Sequence, residues 1–319
     1  MILERLVGDV ATLQKVWEDR PAHFTGLGAF DDVFNLGLAE DLIVSRGLRL
    51  PYLRLVRDGS YLPVARFTHR TGTGAGSADG VADPDAVLRE IHAGATVVLR
   101  GLTRYCPTVA DVCHTLSGEL GFDTSAGAYL TPAHARGAGL HFDPMSVLVR
   151  QVHGVKHWRI HAPEHRWPVG PPQAGGPPVT PVVMELSLGP GDCLYLPRGY
   201  LHDAWTTDEM SVHITFSGDV PPTWVDVAHL LVDQAAADER LREGLPWRFD
   251  AEPDALLAQV RDKLDVLREL LATVDPGTLA AGLATRHGTT SAPSPRGQLA
   301  TMLRRPGTTG ATGATGPAG

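Results

Sequence analysis

The sequence predicts a mainly β protein with helical additions, its strands packed as a sandwich or jelly roll. Three observations carry this reading. Thirty-five glycines and 25 prolines punctuate the 319 residues, short apolar runs separated by Gly and Pro crowd residues 126–218, and helical periodicity is confined to the flanks. With 43% hydrophobic residues the chain is long enough to bury a sizeable core.

From the amino end, Leu3, Leu6, Val7, Val10, Leu13 and Trp17 recur at helical spacing and predict a helix over residues 2–18, stopped by Asp19, Arg20 and Pro21. A second helix is expected around 36–45. Residues 52–59 alternate like a strand that closes in the Asp58-Gly59 turn. PDAVLREIH, 84–92, reads as a short helix, and the β-branched ATVVLRGL that follows as a strand. Residues 109–121 give another helix, ended by Gly121. The β-rich centre offers strands at 126–131, 141–152, 156–161, 182–188, 193–196 and 202–217, with a Pro/Gly-rich loop at 167–178. Beyond Pro221 and Pro222, residues 225–245 and 254–274 place apolar side chains at i, i+3, i+4 with charges opposite, predicting a C-terminal helical pair. The Gly/Thr/Ala-rich residues 288–319 have almost nothing to bury and are expected to be disordered. The expected division is 1–98, helices and strands packing on the core; 99–220, the β core; 221–287, helical; and 288–319, the tail.

Charge and cysteines narrow the function classes. Twenty-eight basic residues are scattered among 36 acidic ones, a net charge of −8, so no nucleic-acid footprint is present. No run approaches the roughly 20 apolar residues of a membrane span, and the charged N-terminal pattern lacks the apolar stretch of a leader, so a cytoplasmic protein is expected. Cys106, Cys113 and Cys193 are too few and too unevenly spaced for a disulfide framework and are read as small buried apolar residues.

The stretch GLHFDPMSVLVRQVHGVKHW, 139–158, carries the chemistry. In a strand, residues i and i+2 share a face, so His141 and Asp143 reach one inward point. GPGDCLYLPRGYLHDAW adds His202 after a Pro-Arg-Gly turn. Two neutral imidazoles and one carboxylate form the facial triad of non-haem Fe(II) oxygenases, which leaves three coordination positions open. An isolated HxD is common by chance; its combination with the Gly/Asp turn and the second histidine is not. Lys156 falls on the strand face opposite His153 and His157, where an inward cation needs an anionic partner unless it snorkels to solvent. His213 and Thr215 share a strand face and either line the pocket or fill the core. Asp203 is expected to point away from the site, Arg198 to be a turn residue, and His153, His157, His161 and His165 to lie mostly on the outer face or in loops. Trp158, Trp167 and Trp205 either shape a groove or pack in the core.

The run AYLTPAHARGAGLHFDPMSVLVRQVHGVKHWRIHAP, joined to LSLGPGDCLYLPRGYLHDAW and SVHITF, resembles the cupin-type JmjC oxygenases of the ribosomal-oxygenase group, which are 2-oxoglutarate-dependent protein hydroxylases. The resemblance extends over roughly residues 7–279. It implies a double-stranded β-helix, a jelly-roll cupin core with N-terminal helices and a C-terminal helical pair. It implies Fe(II) held by His141, Asp143 and His202, 2-oxoglutarate with its C5 carboxylate on Lys156, Tyr129 lining the co-substrate pocket, which strand parity lets Thr215 join, and O2 as oxidant. The implied reaction is hydroxylation of a protein or peptide side chain, with succinate and CO2 as co-products. The family's helical segment implies a homodimer through residues 221–287. The chain departs from the pattern at Gly127, where the family commonly has asparagine, at Pro144, where an acidic residue is usual, and in the tail, which shows no winged-helix module. Two alternatives stand beside hydroxylation: a non-catalytic cupin-like protein that binds a metal or small acid, and a demethylase, for which no methylammonium cage is legible by motif. Specificity is expected in loops such as 162–181.

Overall fold

The computed structural model describes residues 1–71, 78–170, 180–218, 221–251 and 253–287. At the amino end, Gly8 at φ 69° breaks the helix expected over 2–18 into α1 (Ile2–Val7) and α2 (Val10–Val16), the second capped by Asp9, whose side chain accepts from the Ala11 N–H. Then follow β1 (Ala22–Phe24), α3 (Leu36–Ser45), capped by Asn35, and the hairpin β2 (Leu53–Arg57) and β3 (Ser60–Tyr61) around Gly59 at φ 80°. Next come β4 (Thr68–Thr71), β5 (Ala78–Ala82), α4 (Pro84–His92), capped by Asp83, and β6 (Thr96–Leu99). Helix α5 (Pro107–Leu120) stops at left-handed Gly121.

The central strands are β7 (Thr124–Thr131), β8 (Val147–His153), β9 (Lys156–His161), β10 (Val182–Leu188), β11 (Cys193–Leu196), β12 (Leu201–Trp205) and β13 (Ser211–Gly218). Two expectations are corrected. The strand expected at 141–152 begins only at Val147, since the FDPMS stretch turns at Pro144, which has no N–H for a ladder. The strand expected at 202–217 is two strands, separated by the polar turn of Thr206 to Met210.

These strands make an antiparallel eight-stranded sheet in the order β1-β11-β8-β13-β7-β6-β2-β3, a three-stranded sheet β10-β9-β12, and the separate β4-β5 pair. The architecture is the jelly-roll type expected, with β2, β3 and β6 sharing the sheet of the central strands. Alternation along each strand feeds two cores. Leu53, Leu55, Val97, Leu99, Ala128, Leu130, Val212 and Ile214 face the helical side, against Leu6, Leu42, Val109 and Leu116. Val147, Val149, Leu194 and Leu196 face the smaller sheet and meet Trp158, Ile160 and Leu188. Between the sheets lies the space in which a site can form.

Thr223 and Asp226 form a capping box at the start of α6 (Trp224–Ala235), followed by α7 (Glu239–Arg242), α8 (Pro253–Thr273) and α9 (Pro276–His287). The expected helical pair is thus four segments. The helix expected over 225–245 breaks before Asp238, which caps α7, and α9 was not anticipated. Arg286 ties α9 to Asp233 of α6 at 2.6 Å. No helix among the described residues is long and apolar enough to cross a membrane. The three cysteines are free and buried, and burial pushes their thiols up, to about 11 for Cys106 and about 12 for Cys113 and Cys193. Residues 288–319 and 171–179, where a disordered tail and part of a loop were expected, lie outside the described residues.

Candidate metal centre

His141 and His202 face each other across an isolated antiparallel bridge. The His141 N–H donates to the His202 carbonyl at 3.2 Å, and the His202 N–H donates back at 2.7 Å. Asp143 follows in the loop, its carbonyl accepting from the Gly199 N–H at 2.9 Å. The convergence therefore comes from main-chain bonds to the Pro-Arg-Gly turn and β12, not from the i, i+2 parity of a strand. One donor atom from each of the three residues lies within 4.8 Å of the others. Asp143 Oδ1 is 3.9 Å from His141 Nε2, and Oδ2 is 3.8 Å from His202 Nε2.

The tautomers are set locally. His141 Nδ1 lies 2.8 Å from the Gly139 carbonyl, and His202 Nδ1 lies 3.1 Å from the Tyr200 carbonyl. A carbonyl only accepts, so each Nδ1 carries the proton and each Nε2 presents its lone pair beside the carboxylate. Burial, reinforced by the neighbouring His141, brings His202 down to about 4, so its ring is neutral near pH 7. Two imidazole nitrogens and one carboxylate suit a first-row divalent ion. His141 and Asp143 are 37% and 38% exposed, so the site opens on one side.

The triad lines a cavity of about 80 Å³ together with Tyr129, Lys156, Trp158, His213 and Thr215. Lys156, 3% exposed, donates to Thr131 Oγ1 at 2.5 Å, and Thr96 donates to the same oxygen at 3.1 Å. Burial alone pushes Lys156 down to about 7, with no carboxylate pulling the other way. A buried amine that pairs with no carboxylate among the described residues could hold an anion. Tyr129 stacks on His213 with centroids 4.8 Å apart and planes at 12°. Desolvation, and behind it the Asp143 charge, pushes its phenol up to about 12. Burial and the Lys156 charge hold His213 well below the usual histidine range. His213 Nδ1 and Trp158 Nε1 are buried without a partner.

The structure thus gathers His141, Asp143, His202, Tyr129, Lys156 and Thr215 around one cavity. Thr131 and Thr96 escaped sequence reasoning. Thr131 stands two residues after Tyr129 on β7, so the strand parity that placed the tyrosine also places the hydroxyl. At Gly127 an added Cβ would lie 2.9 Å from the Leu99 carbonyl, so the asparagine common in the family does not fit this backbone. Asp203 pairs across the ladder with Arg159, away from the triad. His153 and His165 are exposed, but His161 is buried, its Nδ1 2.8 Å from the Thr180 carbonyl, so it is not the outer-face or loop residue expected. Arg198, in its turn, is buried on Glu18 at 2.6 Å. Trp167 donates to the Glu18 carbonyl while half its surface remains exposed, and Trp205 carries Arg136 and Arg159 on its ring.

Residues 103–226 match the JmjC domain family. Over 226 residues the chain is 30% identical to the bifunctional lysine-specific demethylase and histidyl-hydroxylase NO66 of Dictyostelium discoideum, which covers 64% of this chain and 43% of that protein. It is 30% identical over 187 residues to ribosomal oxygenase 2 of Mus musculus, 55% of this chain and 38% of that one. The NO66 of Drosophila persimilis is 27% identical over 248 residues, 73% of this chain and 34% of that protein. The chain spans about a third of the length of the curated relatives it matches. Among solved structures, Escherichia coli YcfD superposes with a TM-score of 0.53 at 18% identity, covering 84% of this chain and 68% of that one. A structure of that ribosomal oxygenase with cobalt and 2-oxoglutarate gives 0.51 at 18%, covering 84% and 67%. At that identity the superposition establishes the fold. Over residues 103–226 the chain thus matches the JmjC domain family, and it is similar to proteins of the ribosomal oxygenase group.

Proposed function

We propose that the chain is an Fe(II)- and 2-oxoglutarate-dependent dioxygenase that hydroxylates a protein or peptide side chain and releases succinate and CO2. One observation carries this reading: the imidazoles of His141 and His202 and the Asp143 carboxylate converge in one cavity with a buried amine that pairs with no carboxylate among the described residues. When bound, the iron supplies activation of dioxygen coupled to oxidative decarboxylation of the 2-oxo acid. Around it, His141 and His202 offer lone pairs fixed by their Nδ1 bonds, and Asp143 closes the ligand face. Lys156 and Thr131 receive the distal carboxylate of the co-substrate. Tyr129, with its high pKa, keeps its phenolic proton as a donor, and Thr215 adds a hydroxyl on the same wall. Trp158, Val147 and Val149 exclude water from the inner end.

Demethylation is favoured by the similarity to the NO66 proteins, which are bifunctional lysine-specific demethylases and histidyl-hydroxylases. Against it, the aromatic rings in the cavity, Tyr129, His213 and Trp158, pack on one another beside Lys156, whose like charge repels a methylated ammonium. Self-association through residues 221–287 is supported by the exposure of Trp247 at 92%, Leu245 at 66% and Val232 at 64%. The test of the function is succinate formation from 2-oxoglutarate. It is expected to require Fe(II) and to vanish in His141→Ala and Asp143→Ala, with mass spectrometry showing one oxygen gained on a peptide substrate. Tight metal binding without succinate would leave a non-catalytic cupin.

A further inference from the structure

The pocket side of the eight-stranded sheet continues past the cavity into a cluster of arginines that pair with no carboxylate among the described residues. Register places Arg54 opposite Val98, Val98 opposite Tyr129 and Tyr129 opposite His213. Residues directly opposite in an antiparallel ladder share a face, so Arg54 stands on the same face as Tyr129 and His213. Val56 shares that face by period two, and Tyr61 lies opposite Val56. The Arg54 guanidinium sits 5.0 Å from the centre of the Tyr61 ring, and Arg100 Nη2 donates to the Tyr61 hydroxyl at 2.9 Å. Arg104 lies 5.5 Å from the ring of Tyr52.

The charges on the two faces are handled differently. Arg57, of opposite parity to Arg54 on β2, shares the Glu90 carboxylate with Arg66, at 3.4 and 2.8 Å. Among the described residues Arg54, Arg100 and Arg104 are ion-paired with no carboxylate, although acidic residues outnumber basic ones by 36 to 28. Arg54 Nε is buried without a partner. Two guanidinium groups gathered on one phenol ring repel each other, and their planar forks match a carboxylate. The cluster also neighbours the cavity, because only Val98 stands between Arg54 and the cavity-lining Tyr129 across the ladder.

We propose that Arg54, Arg100 and Tyr61 form a docking shelf for a carboxylate of the substrate, an Asp or Glu side chain of a peptide near the residue to be oxidised. Tyr61, 54% exposed, offers a flat ring for the aliphatic part of that side chain, and the guanidinium groups take its oxygens. This assignment rests on the hydroxylase reading and names its substrate class.

The test titrates the full chain with fluorescein-labelled peptide pairs from a positional-scanning library, each pair carrying Asp or Glu against Asn or Gln at one position. At one position the acidic member is expected to bind about ten-fold tighter. The preference falls below about two-fold in Arg54→Gln/Arg100→Gln and persists in Arg89→Gln, an exposed arginine on α4. Arg100→Gln alone, at an exposed site, shows a partial loss even if the double variant does not fold. The proposal is overturned if no position prefers an acid, if the preference survives in both variants, or if the double variant instead loses binding to a single-stranded RNA that the parent binds. Succinate formation is scored separately. Acid preference without succinate sinks the oxygenase reading alone, and succinate without acid preference sinks the shelf alone.

Discussion

Replacing Lys156 with methionine is expected to make the ligand-free protein more stable and the enzyme inactive. The ammonium is buried, and burial brings its pKa from 10.5 to about 7. That shift corresponds to about 5 kcal/mol of lost stability below pH 7, at about 1.4 kcal/mol per unit, and to about 4 kcal/mol at pH 7.5. Methionine fills a similar volume without that cost but forfeits the bond to Thr131, worth about 1 kcal/mol. The net gain is about 3 kcal/mol, a rise in melting temperature of roughly 6 °C for a domain of this size. The sign with pH follows from a folded pKa below the unfolded one: the penalty is complete below about pH 7 and fades as pH rises towards 10.5. The advantage of Lys156→Met is therefore about 4 to 5 kcal/mol before the lost bond at pH 6, and under about 1 kcal/mol at pH 10. Thermal and urea unfolding without metal or 2-oxoglutarate measure it. Adding 2-oxoglutarate at about 100 times its dissociation constant, with a redox-silent divalent ion, is expected to stabilise the parent by about 2.7 kcal/mol and the variant not at all. A variant less stable than the parent when ligand-free, or still stabilised by 2-oxoglutarate, refutes the assignment of Lys156 as an anion receptor.

Asp143→Ala removes a proposed ligand from a half-exposed loop, so cobalt affinity measured by calorimetry is expected to fall by more than about 100-fold while the unfolding midpoint barely moves. Because only the ammonium form of Lys156 pairs with a carboxylate, 2-oxoglutarate affinity is expected to weaken as pH rises above about 7, by up to about ten-fold per unit; a flat calorimetric profile between pH 6.5 and 9 contradicts this. Arg198→Met leaves Glu18 without its buried partner and is expected to cost about 3 kcal/mol in urea unfolding, most of it recovered by adding Glu18→Gln.

The sequence made some elements legible because their signals are local. PDAVLREIH carries its own cap and proline and folds as the helix its pattern predicts, and the strands at 156–161, 182–188 and 193–196 are bounded by turn residues. What stayed hidden depends on contacts between distant segments. His141 and Asp143 were legible as a pair, but their convergence on His202 rests on a single bridge that no periodicity announces. The split of the first helix turned on Gly8 adopting a positive φ, which composition alone does not disclose. The same holds for Arg198, whose turn position was readable but whose partner, Glu18, lies 180 residues away. The burial of His161 likewise depends on Thr180, across a long connection.

The bridge between His141 and His202 has one more consequence. Because backbone amides hold the two rings at their spacing, the proposed ligand set is fixed by the main chain, and its two nitrogens and one carboxylate suit several divalent ions of the first row. Affinity among such ions follows their intrinsic ranking, in which zinc, nickel and copper outcompete ferrous iron. Protein purified from a host rich in those metals would therefore carry inert impostors, and its apparent idleness would reflect the growth medium rather than the chain.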